Sequence, residues 1–584
     1  MTEQTTTRFS RRQRLLLSIL GCLPLPLTVA VLGPLDVYSS NREMLGEFFS
    51  AGDFLPISAL IGLAAAAALF LLLYFLPDRG FRIALPIVLA LSLSATILTF
   101  VNRSSDLPGD AQSVATTLQN VLGILIPCLL LAGGIVGFLL VKQADHLTLA
   151  SCLVLIPLLF AFVVSFISIP LSTPDIFAPM SDEKKNGKIL TSDGISDLGE
   201  DANVIYICID RFDEGFFDVA NEIDPTIFAN LDGFTHYTDH ITLYSNTYPA
   251  VCYMLTGYEP DFTLSRSEIL KTGFSNPRLL GALRDAGYSI GVYANEYYSY
   301  DNVENIVDYV DNVPPNGHFE GVNMSKLPGE MLALSLFRSS PSVTAPLFDW
   351  LSTKTLTDQH RIYVDDSDTN KENAFKDDKS MFNDVGNNEA KAELDRRGFT
   401  VVRNGKRFTY LHIAGMHDVY NPKTSSRDAI VRNLRESFAV VNAYLDALRA
   451  NGLYKNATII VTGDHPCALS DSESVAERGE PRITALFVKR RGDEGTPCRV
   501  STAQVYQAQI VSEIFDAEGI PLTDDDPLPL SKTPEGIDVE RFHMFMVQKN
   551  GEFDCETWRI YGPAADFSNW EKASSVHYKH SLYN

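Results

Sequence analysis

Five apolar runs fill the first 170 residues, at about 15–35, 54–76, 83–101, 121–141 and 147–169. Each is close to the ~20 residues needed to cross ~30 Å of hydrocarbon. No other feature restricts the fold so strongly. Helices buried in a soluble core still need a polar face, and these runs hold too few charges to supply one. Residues 1–170 are therefore read as a transmembrane region of five helices. The first run has a basic start, like a signal peptide. It runs on into Gly33-Pro34-Leu35 without a small-x-small cleavage site, and four more runs follow, so it is read as an anchor.

Charge sets the expected orientation. With the N-terminus inside, Arg8, Arg11, Arg12, Arg14, Arg79, Arg82 and Lys142 are cytoplasmic, and only Arg42 and Arg103 lie in the outer loops. Seven against two follows the positive-inside rule. Five crossings then place everything after Ile169 outside the cytoplasmic membrane. Residues 1–170 hold nine basic and nine acidic residues, so the remainder carries 48 − 9 = 39 basic and 72 − 9 = 63 acidic residues, the whole net charge of −24. That excess excludes a nucleic-acid partner, because no basic footprint is left to neutralise phosphates. Of eight cysteines three fall in the spans, and the outer five contain no C-x-x-C pair, so neither a disulfide scaffold nor a cysteine-ligated zinc site is expected.

Residues 171–202 are polar and rich in Pro, Gly and Ser, and read as a linker. An α/β rhythm follows. Apolar β-branched strands are expected at 204–209, 288–294, 408–413, 458–462 and 484–488, with helices at 277–286, 432–450 and 503–515. This alternation predicts a mostly parallel sheet covered by helices on both faces, over residues 203–530. The stretch 365–388 is charged and Asn-rich and receives no structure. Short alternating pieces near 543–549 and 558–561 predict a small antiparallel subdomain over 531–584.

The chemistry of such a sheet sits at the carboxyl ends of its strands. The strand at 204–209 ends in Asp210, that at 408–413 leads to His417, and that at 458–462 leads to Asp464-His465. Hard oxygen and nitrogen donors of this kind suit one divalent ion, Mn²⁺, Zn²⁺ or Mg²⁺. Thr247 precedes Pro249 at the start of a short helix that ends near Gly257. Free N–H groups at that end favour a phosphate-like anion, and a metal ion would activate the poor threonine nucleophile. Thr242 and Ser245 are rival hydroxyls. His236 and His240 read as structural residues on one strand face, His412 as a core residue, and Arg211 as the nearest arginine for a substrate phosphate.

The strings NVIYICID, NTYPAVCYMLTG, LHIAGMHDVY and TIIVTGDH resemble the alkaline phosphatase/sulfatase superfamily. Five spans followed by such a domain are similar to membrane-anchored phosphoglycerol transferases of the lipoteichoic acid synthase type. The resemblance implies that Asp210, Thr247, Asp464 and His465 hold the metal, that Thr247 is the nucleophile, and that His417 contacts substrate or leaving group. It also implies a glycerophospholipid-like donor of the phosphate ester, drawn from membrane lipid, and a cell-envelope acceptor. One departure is the absence of the C/S-x-P-x-R segment that sulfatases convert to formylglycine. Here Thr247 is followed by Tyr248-Pro249-Ala250, and Cys252 has no such context. The expected function is thus a membrane-anchored phosphate-ester transferase or hydrolase. The alternatives are a sulfatase-like hydrolase and an inactive membrane-anchored binding protein.

The topology has a direct test. Protease added to intact, wall-stripped cells should degrade residues 171–584, and full protection of that part would overturn the orientation.

Overall fold

The computed structural model describes residues 8–46, 49–102, 117–173, 175–178, 188, 190–313, 317–348, 351, 361–365, 386–417, 419, 422–423, 425–467, 482–549 and 552–582. The stretch 365–388, left without structure above, lies largely outside them. The chain divides into two compact units, one of Met1–Asn186 with His318–Val364 and Asp368–Phe375, the other of Gly187–Gly317, Asp365–Ser367 and Lys376–Asn584.

The first unit contains five helices long and apolar enough to cross a membrane: α1 (Arg11–Ser40), α2 (Ala51–Phe75), α3 (Asp78–Val101), α4 (Thr117–Leu140) and α5 (Ala144–Ser172). Their starts follow sequence rules, since Ser10 with Gln13 and Ser50 with Asp53 form capping boxes. Hydroxyls inside the apolar runs are satisfied by the helix itself, as where Ser58, Ser92 and Ser151 donate to the carbonyls of Phe54, Val88 and Leu147.

The helix ends gather at two faces. At one face Arg14 pairs with Asp78 at 2.8 Å, Gln13 donates to Asp145 at 2.6 Å, and Arg82 donates to the Lys142 carbonyl at 3.2 Å. At the other, the Ser39 and Thr173 hydroxyls meet at 3.0 Å, and the Ala51 N–H donates to the Ile176 carbonyl. The run of apolar helices therefore enters and leaves this unit at opposite faces, as an odd number of passes requires.

A further helix, α6 (Leu327–Ser339), belongs to this unit. Sequence reading gave these residues to the catalytic domain. Instead Leu327, Met331 and Leu334 pack with Val31, Leu32 and Leu35 of α1. An apolar face on so short a helix is stable only against another apolar surface. At its end Arg338 donates to Asp36 at 2.9 Å and to Ser40 at 2.7 Å, and Asn102 donates to the Arg338 and Ser340 carbonyls.

The second unit is built on a seven-stranded sheet. Its strands are β1 (Ala202–Ile209), β2 (Phe234–Tyr237), β3 (Tyr288–Tyr293), β4 (Lys406–Ile413), β5 (Ala457–Thr462), β6 (Leu486–Lys489) and β7 (Arg499–Ser501), in the order β7-β2-β6-β5-β1-β4-β3. Only β6 runs antiparallel to its neighbours. Every residue of β1 is buried, as a central strand covered on both faces must be. The pleat sends Val204, Tyr206 and Cys208 into one core and Ile205, Ile207 and Ile209 into the other.

Helix α7 (Thr247–Thr256) lines the first core with Ala250, Val251 and Leu255. Helix α8 (Arg427–Ala450) lines the second with Leu434, Phe438, Val441 and Leu445 at helical spacing. Each such side chain contributes roughly 1.5–3 kcal/mol when fully buried.

Two local expectations shift. The helix expected from 503 begins at Ala508, because Val505–Tyr506 pairs with His240–Ile241. The linker's end is also ordered, Asp197–Gly199 pairing with Thr400–Val402. The expected C-terminal antiparallel piece is a three-stranded sheet of β8 (Glu540–Lys549), β9 (Glu552–Tyr561) and β10 (Trp570–Tyr578). All eight cysteines are free.

The Asp36–Arg338 pair is nearly sealed, at 11% and 2% side-chain exposure. Arg338→Ala should leave Asp36 without that counter-charge and cost about 3–5 kcal/mol. Asp36→Asn combined with Arg338→Met should recover much of that. Thermal denaturation of the detergent-solubilised chain reads both.

Candidate active site at the strand ends

Three neighbouring strands converge on one point. β5, β1 and β4 lie side by side and parallel, in registers that set Cys208 opposite both Thr462 and His412. Continuing each strand by one pleat step brings Asp210, Asp464 and the loop after Ile413 to the same edge. Two glycines let the flanking chains close on the turn after Asp210. A Cβ on Gly415 would lie 2.6 Å from the Asp210 nitrogen, and one on Gly463 would lie 2.8 Å from that of Phe212. Gly415 also has φ +55°, a left-handed conformation natural to glycine. Asn387 fixes this crossing by accepting from the Gly415 N–H at 2.9 Å and donating to its carbonyl at 3.1 Å.

The two carboxylates and one imidazole form a compact donor set. Ligand atoms of Asp210, Asp464 and His465 all lie within 4.8 Å of one another, and all three residues are buried. His465 Nε2 is 3.5 Å from Asp464 Oδ2 and 3.9 Å from Asp210 Oδ1. Its Nδ1 sits 2.7 Å from the Pro466 carbonyl, which can only accept. Nδ1 therefore carries a proton, and in the neutral ring the Nε2 lone pair would face the carboxylates. Asp464 Oδ1 accepts from the N–H groups of Arg211 and His465 at 3.1 and 2.9 Å. Among the described residues, Asp210 Oδ1 and Asp464 Oδ2 are buried without a hydrogen-bond partner. Orphaned carboxylate oxygens at this depth are costly unless a cation meets them. The residues thus fit a divalent ion held by oxygen and nitrogen. Burial alone would raise the Asp210 carboxyl, but the imidazoles of His417 and His465 and the Arg211 guanidinium outweigh it and hold it well below the usual carboxylate range.

Thr247 opens α7, and its Oγ1 lies 3.3 Å from His465 Nε2. The Asn246 side chain does not cap α7; its amide oxygen accepts from Ser245 Oγ at 2.7 Å. The rival hydroxyls are engaged elsewhere. Ser245 Oγ also accepts from the Met546 N–H at 3.0 Å, and Thr242 is buried with its hydroxyl 3.2 Å from that of Thr484. The C-terminal sheet therefore braces the segment that leads into Thr247. The Ser245 N–H donates to the Met544 carbonyl, the Met544 N–H to the Leu243 carbonyl, and His543 Nδ1 to the Thr242 carbonyl at 2.7 Å. Burial lowers His543 to about 4, so its ring is neutral.

His417 is half-exposed, with Nδ1 3.4 Å from Asp210 Oδ2. Arg211 adopts φ 57°, donates from Nη1 to the His417 carbonyl at 2.9 Å, and keeps Nε 3.8 Å from Asp210 Oδ1. All six sequence-predicted site residues are thus in one place. His236 and His240, read as one strand face, fall on two strands. His236 meets Glu214 and stacks on Phe487 with ring centroids 4.2 Å apart, whereas His240 Nδ1 meets the Thr484 carbonyl. His412 was read as a satisfied core residue, yet neither ring nitrogen has a hydrogen-bond partner, and Nε2 lies 3.9 Å from both Asp210 and Asp464. The missed signal was parity, since His412 occupies the same pleat side as Cys208 beside Asp210.

The sulfatase family model matches residues 202–517. Similar solved structures include an alkaline phosphatase superfamily protein from Vibrio parahaemolyticus, at 12% identity and TM-score 0.36, covering 67% of this chain and 85% of that one. The lipoteichoic acid synthase LtaP from Listeria monocytogenes is 10% identical with TM-score 0.35, covering 68% and 90%. The phosphonate monoester hydrolase SpPMH from Silicibacter pomeroyi is 13% identical with TM-score 0.34, covering 62% and 87%. Similarity at this level bears on neither activity nor substrate. No curated protein matches the chain.

Ion binding should stabilise the fold through these residues. Mn²⁺ or Zn²⁺ at 100 times its Kd should add about 2.7 kcal/mol, and a chelator should remove it. Asp464→Asn should abolish the thermal shift. An unchanged shift in that variant would place the ion elsewhere.

Proposed function

The chain belongs to the sulfatase family, and from that premise we propose a membrane-anchored, metal-dependent transferase or hydrolase of phosphate esters that works outside the cytoplasmic membrane. The observation that carries this reading is the hydroxyl of Thr247. It stands at the start of α7, 3.3 Å from His465 in the Asp210–Asp464–His465 donor set. Asp210, Asp464 and His465 would hold the ion, with Thr247 as fourth ligand or neighbour. When bound, such an ion lowers the pKa of an adjacent hydroxyl and neutralises charge on a transferring phosphoryl group.

The protein's own groups then carry a two-step displacement. The first-turn amides of α7 hold the phosphate oxygens, and Arg211 lies beside Asp210 to add positive charge. Thr247 Oγ1 gives its proton to solvent and attacks phosphorus, the bond to the first alcohol breaks, and the phosphate ester rests on Thr247. His417, with 46% of its side chain exposed, protonates the departing oxygen. An acceptor alcohol or water next attacks phosphorus and releases Thr247, whose hydroxyl regains a proton. Attachment to helices suited to a membrane supports a phospholipid headgroup donor and a cell-envelope acceptor.

Sulfate-ester hydrolysis is the second reading, supported by family membership. Against it stands the segment Thr247-Tyr248-Pro249-Ala250-Val251, which offers no cysteine or serine at the nucleophile position for conversion to formylglycine.

Thr247→Ala should abolish turnover while preserving the fold, since exchanges at such positions usually change stability by within about 0.5 kcal/mol. Thr247→Ser should retain part of the activity, and His417→Ala should lose roughly 10²–10⁴-fold. Ser245→Ala should remain active. Mass spectrometry of chain trapped with a phosphatidylglycerol donor should find the added phosphoester on the peptide containing Thr247. Near-normal turnover by Thr247→Ala would refute the mechanism, and release of the headgroup to water alone would favour hydrolysis.

A further inference from the structure

We propose that Cys208, His412 and Asp464 form a second, buried metal site that takes a borderline divalent ion such as Zn²⁺. The site lies one pleat step beneath the oxygen-rich site of Asp210, Asp464, His465 and Thr247. The inference is independent of which ester the protein uses and shares only Asp464 with the site described above.

Three observations carry it. First, the ligand atoms of Cys208, His412 and Asp464 all lie within 4.8 Å of one another, and each residue is buried. The β1–β4 register sets Cys208 opposite His412, so the pleat turns thiol and imidazole to the same face. Second, His412 is 2% exposed, and neither of its nitrogens has a hydrogen-bond partner among the described residues. A buried ring normally satisfies at least its N–H, and an unmet polar group costs roughly 1–3 kcal/mol. Its nearest charged atoms, Asp464 Oδ2 and Asp210 Oδ2, are both 3.9 Å away. That is too long for a hydrogen bond. It is of the order of the separation between two ligands on one ion bound at ~2.0–2.3 Å.

Third, Asp464 divides its oxygens. Oδ1 accepts two backbone N–H groups, whereas Oδ2 has no hydrogen-bond partner and faces His465 at 3.5 Å and His412 at 3.9 Å. One oxygen thus looks toward both clusters.

The donor types decide which ion each cluster takes. Sulfur and imidazole favour Zn²⁺ over Mg²⁺ or Mn²⁺, while two carboxylates and a hydroxyl suit the harder ions. Uptake at the second site exchanges the Cys208 thiol proton for the metal and releases that proton to solvent. Three protein ligands leave one tetrahedral position for water or a substrate oxygen.

The test uses the full chain in detergent, stripped by chelator and reloaded with Co²⁺. Metal content is counted by mass spectrometry and the absorption spectrum recorded. Wild type should bind two ions per chain and show a thiolate-to-cobalt charge-transfer absorption in the near ultraviolet. Thr247→Ala should keep that absorption. Cys208→Ala and His412→Ala should each bind one ion, and Cys208→Ala should lose the absorption. Two ions without thiolate absorption, or absorption that persists in Cys208→Ala, would overturn the assignment. One ion and no thiolate absorption in wild type would overturn the second site and leave the first standing. No bound ion at all would overturn both. The wild-type spectrum decides the matter even where a variant fails to fold.

Discussion

Two carboxylates buried side by side, Asp210 and Asp464, are the constraint on which the second unit depends. They are 3% and 0% exposed and are held at adjacent strand ends. Like charges at that depth repel and lose hydration, so the surroundings must answer them. The answers are specific. Backbone N–H groups of Arg211 and His465 serve one oxygen of Asp464, and three histidine rings and a guanidinium surround the rest. The remaining carboxylate oxygens form a donor set that could hold a divalent ion. Gly415 and Gly463 follow from the same demand, because only glycine lets the flanking chains close on the turn after Asp210.

The proposed nucleophile, Thr247, is placed by a different part of the chain. Thr247 belongs to α7, whose apolar residues sit in the first core, but the segment before it is gripped by β8 through Ser245, Leu243 and Thr242. The C-terminal sheet therefore has a function beyond covering apolar surface. Losing it would free the 242–246 segment while leaving the carboxylates in place. A site whose acid groups sit on strands and whose nucleophile sits on a braced helix start separates ion binding from nucleophile alignment.

Much of this was legible in sequence because it obeys period rules. Runs of ~20 apolar residues, fully apolar strands and a Pro-started helix each have one dominant reading. Looking just past strand ends and at a helix start selects Asp210, Thr247, Asp464, His465, His417 and Arg211, which the structure brings together. His412 was missed because a histidine within an apolar strand ordinarily reads as core; its meaning appears only once β1 and β4 are paired in register. Residues 327–339 were misassigned for a related reason. An apolar helical face signals burial but not against what, and its partner on α1 is some 300 residues away in sequence. The separation of His236 from His240 onto two strands likewise depends on tertiary pairing, with Thr484 and Glu214 as the deciding neighbours.

Arg211 shows how far the site overrides local preference. A non-glycine residue at φ 57° costs about 1–3 kcal/mol unless its surroundings enforce it. Glycine would relieve that strain and still direct its N–H to Asp464. It would remove the guanidinium that lies 3.8 Å from Asp210 and donates to the His417 carbonyl. An arginine in this conformation therefore meets two requirements together, a left-handed turn that returns the chain to Asp464 and a positive charge beside Asp210. The same side chain holds the loop that carries His417, so one guanidinium links that loop to the first carboxylate. Strain at the residue after Asp210 is the local consequence of crowding donors, charge and nucleophile at one end of a sheet.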